Sequence, residues 1–332
     1  MSKPWVISWD HGTAEVQPMG GMLGPVWYTI NGQTIQPFFV APWIKDPNAK
    51  TLPGMLRGLR GEFPCVPFGV EGQGPFAEWE GTGEAIRDDE PHGYGANHVW
   101  HLLGRGPDWV EIAIEYPKSH PIRRLKRKIA GRRGEAAVDL DLEIETSRMI
   151  DLGFALHATF RLPEIPGTAS LDVAGFKRGL TFPAPLDVSG SAEPGTWFDS
   201  LTDVSGTREH MVDFSRQPFA EPNEDLLQIE AVGGCVRLLN TEEKWAAQLN
   251  YDPTVFPTVV LWVSNRGWTS FPWAGCTRAL GIEPTRAAMN LGQTVSGGSA
   301  NPLERSGIPT SLRISAGSLF KTSYAISVET LA

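Results

Sequence analysis

From Val138 to Glu145 the chain alternates apolar and acidic side chains without a break: Val138, Leu140, Leu142 and Ile144 interleave with Asp139, Asp141, Glu143 and Glu145. Successive side chains of an extended chain point to opposite faces, so a β-strand buries the four apolar groups and leaves the four acids in water. The same period recurs at Val110, Ile112, Ile114 and Tyr116, and again at Tyr324, Ile326 and Val328. Thr258 to Val263 is a nearly continuous apolar run, the pattern of a strand buried on both faces. Turn clusters such as Gly104–Pro107 and Ala130–Gly134 separate these stretches, and the chain carries 36 Gly and 27 Pro. Many punctuated strands with few helical patterns predict an all-β sandwich or barrel. No fixed-period repeat and no linker interrupts the chain, although 296–307 is loop-like. Residues 1–332 read as a single domain.

With 38 acidic and 29 basic residues the net charge is −9, which repels phosphate backbones and anionic lipids and argues against nucleic-acid or membrane partners. Cys65, Cys235 and Cys276 are too few and too odd for a disulfide framework. Neither a signal peptide nor a membrane-length apolar run is evident, so a cytoplasmic location is expected. One basic run, Arg123, Arg124, Lys126, Arg127, Lys128, Arg132 and Arg133, could form an anion site. The acids at Asp139–Glu145 favour a hairpin instead, with opposite charges paired across adjacent strands on a solvent face.

Three segments carry the chemistry. Arg60-Gly-Glu-Phe-Pro-Cys-Val-Pro-Phe-Gly69 is a rigid loop suited to fixing a guanidinium, whose planar donors match hydroxyls, carboxylates or phosphates. Pro91–Trp100 gathers His92, Asn97, His98 and Trp100 between glycines that let backbone approach a ligand. His101 is the only other nearby histidine and no cysteine joins them, so no metal is expected. In Asp151–Pro163, a strand sends Leu152, Phe154, Leu156 and Phe160 to one face, and Gly153, Ala155, His157, Thr159 and Arg161 to the other. Ala279–Pro284 repeats the design, with Leu280 and Ile282 opposed to Ala279, Gly281 and Glu283. His157 and Glu283 thus each stand among small neighbours on half-buried strands. The residues by themselves name no reaction.

These segments, in this order, resemble the aldose 1-epimerase (galactose mutarotase-like) superfamily, and most closely its hexose-6-phosphate mutarotase-like branch. Arg60–Gly69 is similar to that branch's Arg-Gly-Gly-Ile-Pro loop, and Pro91–Trp100 to its His-Gly-Phe-Ala-Arg…Trp segment. Leu156-His157-Ala158-Thr159-Phe160-Arg161 resembles the Leu-His-Thr-Tyr-Phe-Arg that carries the catalytic histidine. Leu280-Gly281-Ile282-Glu283-Pro284 resembles the segment of the catalytic glutamate, and Gly20–Tyr28 and Ile314–Ser318 fit the family's ends. The resemblance implies a large antiparallel β-sandwich and a cofactor-free isomerase. Glu283 would take the proton of the anomeric hydroxyl, and His157 would protonate the ring oxygen. Arg60, His92, Asn97 and Trp100 would grip the substrate, a monosaccharide or sugar phosphate.

The likeness has gaps. The branch's arginine in the second segment is replaced by Ala96-Asn97-His98, which weakens the case for a phosphorylated substrate. Asp172, Asp187 and Asp199 are the candidates for the aspartate that often holds a ring hydroxyl. A non-catalytic carbohydrate-binding protein, or another isomerase or lyase reaction on the same scaffold, remains the alternative. Substrate, pathway and oligomeric state are not encoded in these motifs.

Overall fold

The alternating segment is the strand Ala137–Thr146 of a computed structural model that describes residues 3–74, 76–84, 86, 88–208 and 210–331. Val138, Leu140, Leu142 and Ile144 are fully buried. The strand pairs antiparallel with Ile122–Gly131, placing Lys126 opposite Glu143 and Lys128 opposite Asp141. Arg123 reaches Glu145 at 3.2 Å, and Lys126 reaches Glu111 at 3.3 Å and Glu143 at 3.1 Å. The basic run is therefore a charge-laddered hairpin, as expected, with one correction. Arg127 shares its parity with Leu125 and Ile129 and so turns inward, fully buried. There it pairs with Glu62 of the opposite sheet, the Tyr324 hydroxyl at 3.0 Å and the Gly21 carbonyl at 2.6 Å.

This hairpin lies in a nine-stranded sheet that runs from His101–Arg105 at one edge, through Leu319–Thr330, to Arg216–Gln217 at the other. Against it packs an eleven-stranded sheet. Its central strands, in spatial order, are Leu23–Ile30, Glu62–Cys65, Phe154–Arg161, Arg278–Arg286, Thr258–Asn265 and Asn223–Ala231. Among the described residues, the ladders between these strands are antiparallel, and helix is confined to short segments such as Tyr94–Asn97 and Gln293–Ser296. The fold is the large antiparallel β-sandwich expected. Leu156, Phe160, Leu280, Ile282, Val259 and Leu261 of one sheet and Leu140, Ile144 and Ile326 of the other form one apolar core.

The outer face of the larger sheet is also covered. Phe63, Ala155, Val260, Trp262 and Ala279 point away from the sandwich core, and a second apolar cluster forms over them. Its cover comes from turns at 42–59 and from the segment 287–308. That is why Thr258–Asn265 reads as a continuous apolar strand: Val259, Leu261 and Val263 serve one cluster, Val260 and Trp262 the other.

Candidate active site

Register brings His157 and Glu283 together. Ala155 pairs with Thr285 and Ala158 with Ile282, so His157 lies opposite Glu283 on the neighbouring strand. Phe63 pairs with His157 on its other side, and Val260 with Glu283. Directly opposed side chains of antiparallel strands are within contact reach. His157 Nε2 is 3.4 Å from Glu283 Oε1. The pair therefore touches, and both side chains line the same pocket.

Each group is held by its strand neighbours. His157 Nδ1 meets the Thr159 hydroxyl at 3.0 Å. The Phe63 ring stacks on the imidazole at 4.6 Å between centroids, and His92 stands perpendicular to it at 5.2 Å. Gly281 makes room for the carboxylate, because a Cβ there would fall 2.4 Å from Glu283 Oε1. Both catalytic candidates are buried, and burial favours their neutral forms. It pushes the Glu283 carboxyl well above the ordinary carboxylate range. It pushes His157 well below the ordinary imidazole range, with the nearby His92 adding to the effect. Burial thus favours the proton on Glu283 over His157, the reverse of the carboxylate–imidazolium arrangement that the family resemblance implies.

The pair opens into a pocket of about 130 Å³. Met55, Leu56, Leu59, Phe68, Leu186, Leu226, Trp262, Trp268 and Trp273 make its apolar walls, and His92 and Asn290 join the pair as polar lining. Three polar atoms there are buried without a partner: His92 Nδ1, Trp262 Nε1 and Asn290 Oδ1. An unmet buried polar atom is costly in a folded protein. His92 also has a left-handed backbone, with φ of 61°, which costs a non-glycine residue about 1–3 kcal/mol. Burial pushes its imidazole down to about 4, so it meets a ligand uncharged.

Of the remaining site candidates, only His92 lines this pocket. Asn97 is spent on scaffolding. Its amide donates to the Pro91 and Gly93 carbonyls at 2.7 and 2.9 Å, and its oxygen accepts from the Met55 N–H at 3.1 Å. It ties the His92 turn to the Gly54–Gly58 turn. Trp100 is fully buried in the sandwich core and donates to the Gly95 carbonyl. Arg60 faces a separate groove of about 220 Å³ with Arg57, Gln17 and Met19. The Gly54–Gly58 turn divides the two spaces, presenting Met55 and Leu56 to one and Arg57 to the other. Asp172, Asp187 and Asp199 do not line the pocket either. Among the described residues, no three His, Cys, Asp or Glu side chains cluster to hold a metal ion, and His98 is engaged by Glu90 at 2.7 Å.

Sequence reasoning missed the aromatic wall. Trp262 shares the parity of Val260, which faces the same way as Glu283, so its direction was readable. Trp268 and Trp273 sit in the Gly- and Pro-containing loop after that strand. Glu224 secures this loop by accepting from Ser264 Oγ at 3.0 Å, Gly267 N at 3.0 Å and Trp268 N at 3.1 Å. Nothing in the sequence marked Asn290.

No protein-family profile and no curated protein sequence matches the chain. Solved structures do. The Slr1438 protein of Synechocystis sp. PCC 6803 superposes with a TM-score of 0.67 at 14% identity, over 99% of this chain and 96% of that one. The GalM/aldose epimerase homologue of C. elegans gives 0.64 at 11% identity, over the whole of both chains. A galactose mutarotase related enzyme of Lactobacillus acidophilus gives 0.63 at 11% identity, over 99% and 98%. At these identities the likeness is one of fold.

Proposed function

We propose that this chain, built on the galactose mutarotase-like fold, is a mutarotase that interconverts the anomers of an aldose, residues 1–332 acting as one catalytic unit. The observation that carries the reading is the contact between His157 and Glu283 in the lining of a pocket walled by three tryptophans.

Anomer exchange needs one proton removed from the C1 hydroxyl and one delivered to the ring oxygen. The C1–O5 bond then breaks, the aldehyde rotates about C1–C2, and reclosure reverses both transfers. Glu283 as carboxylate takes the first proton and His157 as imidazolium gives the second. After ring opening Glu283 is protonated and His157 neutral, the forms that burial favours. Moving one proton back across the 3.4 Å contact readies the pair for the ring form. Hydroxyls donating to Glu283 assist that shift by favouring the carboxylate. Thr159 fixes the imidazole, and no step calls on a cofactor.

The test is an NMR anomer-exchange screen over hexoses, pentoses and their phosphates. The reading requires at least one aldose whose exchange accelerates in proportion to enzyme concentration. Binding without acceleration, seen as a change in tryptophan fluorescence, would instead support a carbohydrate-binding protein. Neither binding nor acceleration for any sugar would end both.

A further inference from the structure

Asn290 stands apart from the other amides around the pocket. The buried amides of Asn97, Gln228, Gln293 and Asn301 are each spent on scaffolding. Gln228 donates to Thr258 Oγ1 and the Ala287 carbonyl, both at 2.8 Å, and accepts from the Met289 N–H at 2.7 Å. Gln293 accepts from the Gly153 N–H and donates to the Asp151 carbonyl. Asn301 donates to the Val295 and Gly298 carbonyls and accepts from the Glu304 N–H. Asn290 lines the pocket, yet its side chain has no hydrogen-bond partner among the described residues, and its Oδ1 is buried. Its backbone, by contrast, is held. The carbonyl accepts from the Val70 N–H at 3.1 Å and from Gln73 Nε2 at 3.3 Å. Met289, just before it, has a left-handed φ of 49°, which a non-glycine residue keeps only where its surroundings impose it; the bond to Gln228 does so here. The chain leaving the Glu283 strand is thus locked in an unfavourable turn that delivers an unspent amide to the pocket wall.

A carboxamide carries donors on its nitrogen and an acceptor on its oxygen, so it bonds two neighbouring hydroxyls at once, donating to one and accepting from the next. We infer that Asn290 is a specificity-determining residue that reads a pair of adjacent ring hydroxyls, at C2 and C3 or at C3 and C4, on the aldose whose C1 hydroxyl and ring oxygen meet Glu283 and His157. The assignment rests on the mutarotase reading. A sugar lacking either hydroxyl leaves one end of the amide unmet in the closed site, and that unpaired polar atom is what discriminates against it.

The experiment measures NMR anomer exchange by the intact wild type, Asn290→Ala and Asn290→Leu on the aldose that the wild type turns over fastest and on its monodeoxy analogues at each carbon from C2 onward. In the wild type, loss of either of two adjacent ring hydroxyls should lower kcat/KM by roughly tenfold or more. Both variants should lose roughly ten- to a hundredfold in kcat/KM on the parent sugar, chiefly through KM, because these bonds are made to ground state and transition state alike. They should also erase the discrimination at those two positions and keep it at the others. No protein bond is lost, so Tm should match the wild type. Folded variants with wild-type kcat/KM, losses that are equal on the parent and every deoxy sugar, or variants that fail to fold would each overturn the assignment and leave the mutarotase reading standing. Exchange of no sugar by the wild type would instead remove the reading beneath it.

Discussion

Gly281 offers a way to move the Glu283 carboxylate without changing its chemistry. Gly281 pairs with Thr159 on one side and Trp262 on the other, in ordinary strand conformation, so alanine brings no backbone strain. Its new methyl would lie 2.4 Å from Glu283 Oε1 and 3.1 Å from Trp262 Cβ. Ordinary contact begins at 3.4 Å, so the carboxylate must retreat by about 1 Å (3.4 minus 2.4). It can do so, because it is the free end of a side chain beside an open pocket. A misplacement of about 1 Å costs on the order of 10²-fold in rate, within the roughly 10²–10⁴-fold contribution of a general base. Stability should barely change. Removing a glycine from the unfolded ensemble contributes about 0.4–1 kcal/mol, offset by the tight Trp262 contact. Gly281→Ala should therefore slow anomer exchange roughly a hundredfold with Tm shifted by at most about 4 °C. In a Glu283→Gln background it should do little more. A folded Gly281→Ala protein exchanging at the wild-type rate would refute the claim that the position of this carboxylate matters.

Three further outcomes follow from the packing. Arg127→Met leaves Glu62 charged and unpaired between the sheets, and urea unfolding should show a loss of about 3–5 kcal/mol, much of it recovered when Glu62→Gln is added. Asn97→Ala removes the bonds to Met55, Pro91 and Gly93 and should lower stability by about 1–3 kcal/mol; unchanged stability with a raised KM would restore it as a substrate ligand. Burial pushes the Glu224 carboxyl from 4.5 up to about 7. Between those values the folded protein holds a proton that the unfolded chain has released, so this residue's contribution is full below about pH 4.5 and is lost as pH rises to about 7. Urea unfolding at pH 5 and pH 8 should show that loss in the wild type, about 1–3 kcal/mol, and a smaller one in Glu224→Gln.

Strand parity was the part of this molecule most plainly written in its sequence. The alternation at Val138–Glu145 specified both the buried face and the ion-paired one, and the small residues around His157 and Glu283 marked strands with a cavity on one side. Arg127 escaped because a run of charge was read as a unit, whereas period two assigns each member its own face. The charge it meets, Glu62, is 65 residues away in a segment that its prolines and glycines made read as a loop, but whose Glu62–Cys65 is a central strand of the larger sheet. Arg60, Asn97 and Trp100 were misplaced for a related reason. Motif proximity says that residues share a loop, and only the folded backbone says which side of it they face. Asn97 and Trp100 turn inward to hold the loop that presents His92. The contact between His157 and Glu283 depends on strand register, which no local pattern at either position encodes. The aromatic wall depends on a loop fastened by Glu224 from the neighbouring strand.

The most direct test of the central claim is a double-mutant cycle on the pair, read by NMR anomer exchange on whichever aldose the wild type turns over. His157→Ala and Glu283→Gln should each remove most of the acceleration, roughly 10²–10⁴-fold. Each variant should retain the wild-type urea midpoint within about 1 kcal/mol of stability. Because two groups that pass one proton act as a unit, the double variant should be little slower than the slower single one. Folded single variants that keep the wild-type rate, or two losses that simply multiply, would contradict the account of His157 and Glu283 as a coupled acid–base pair.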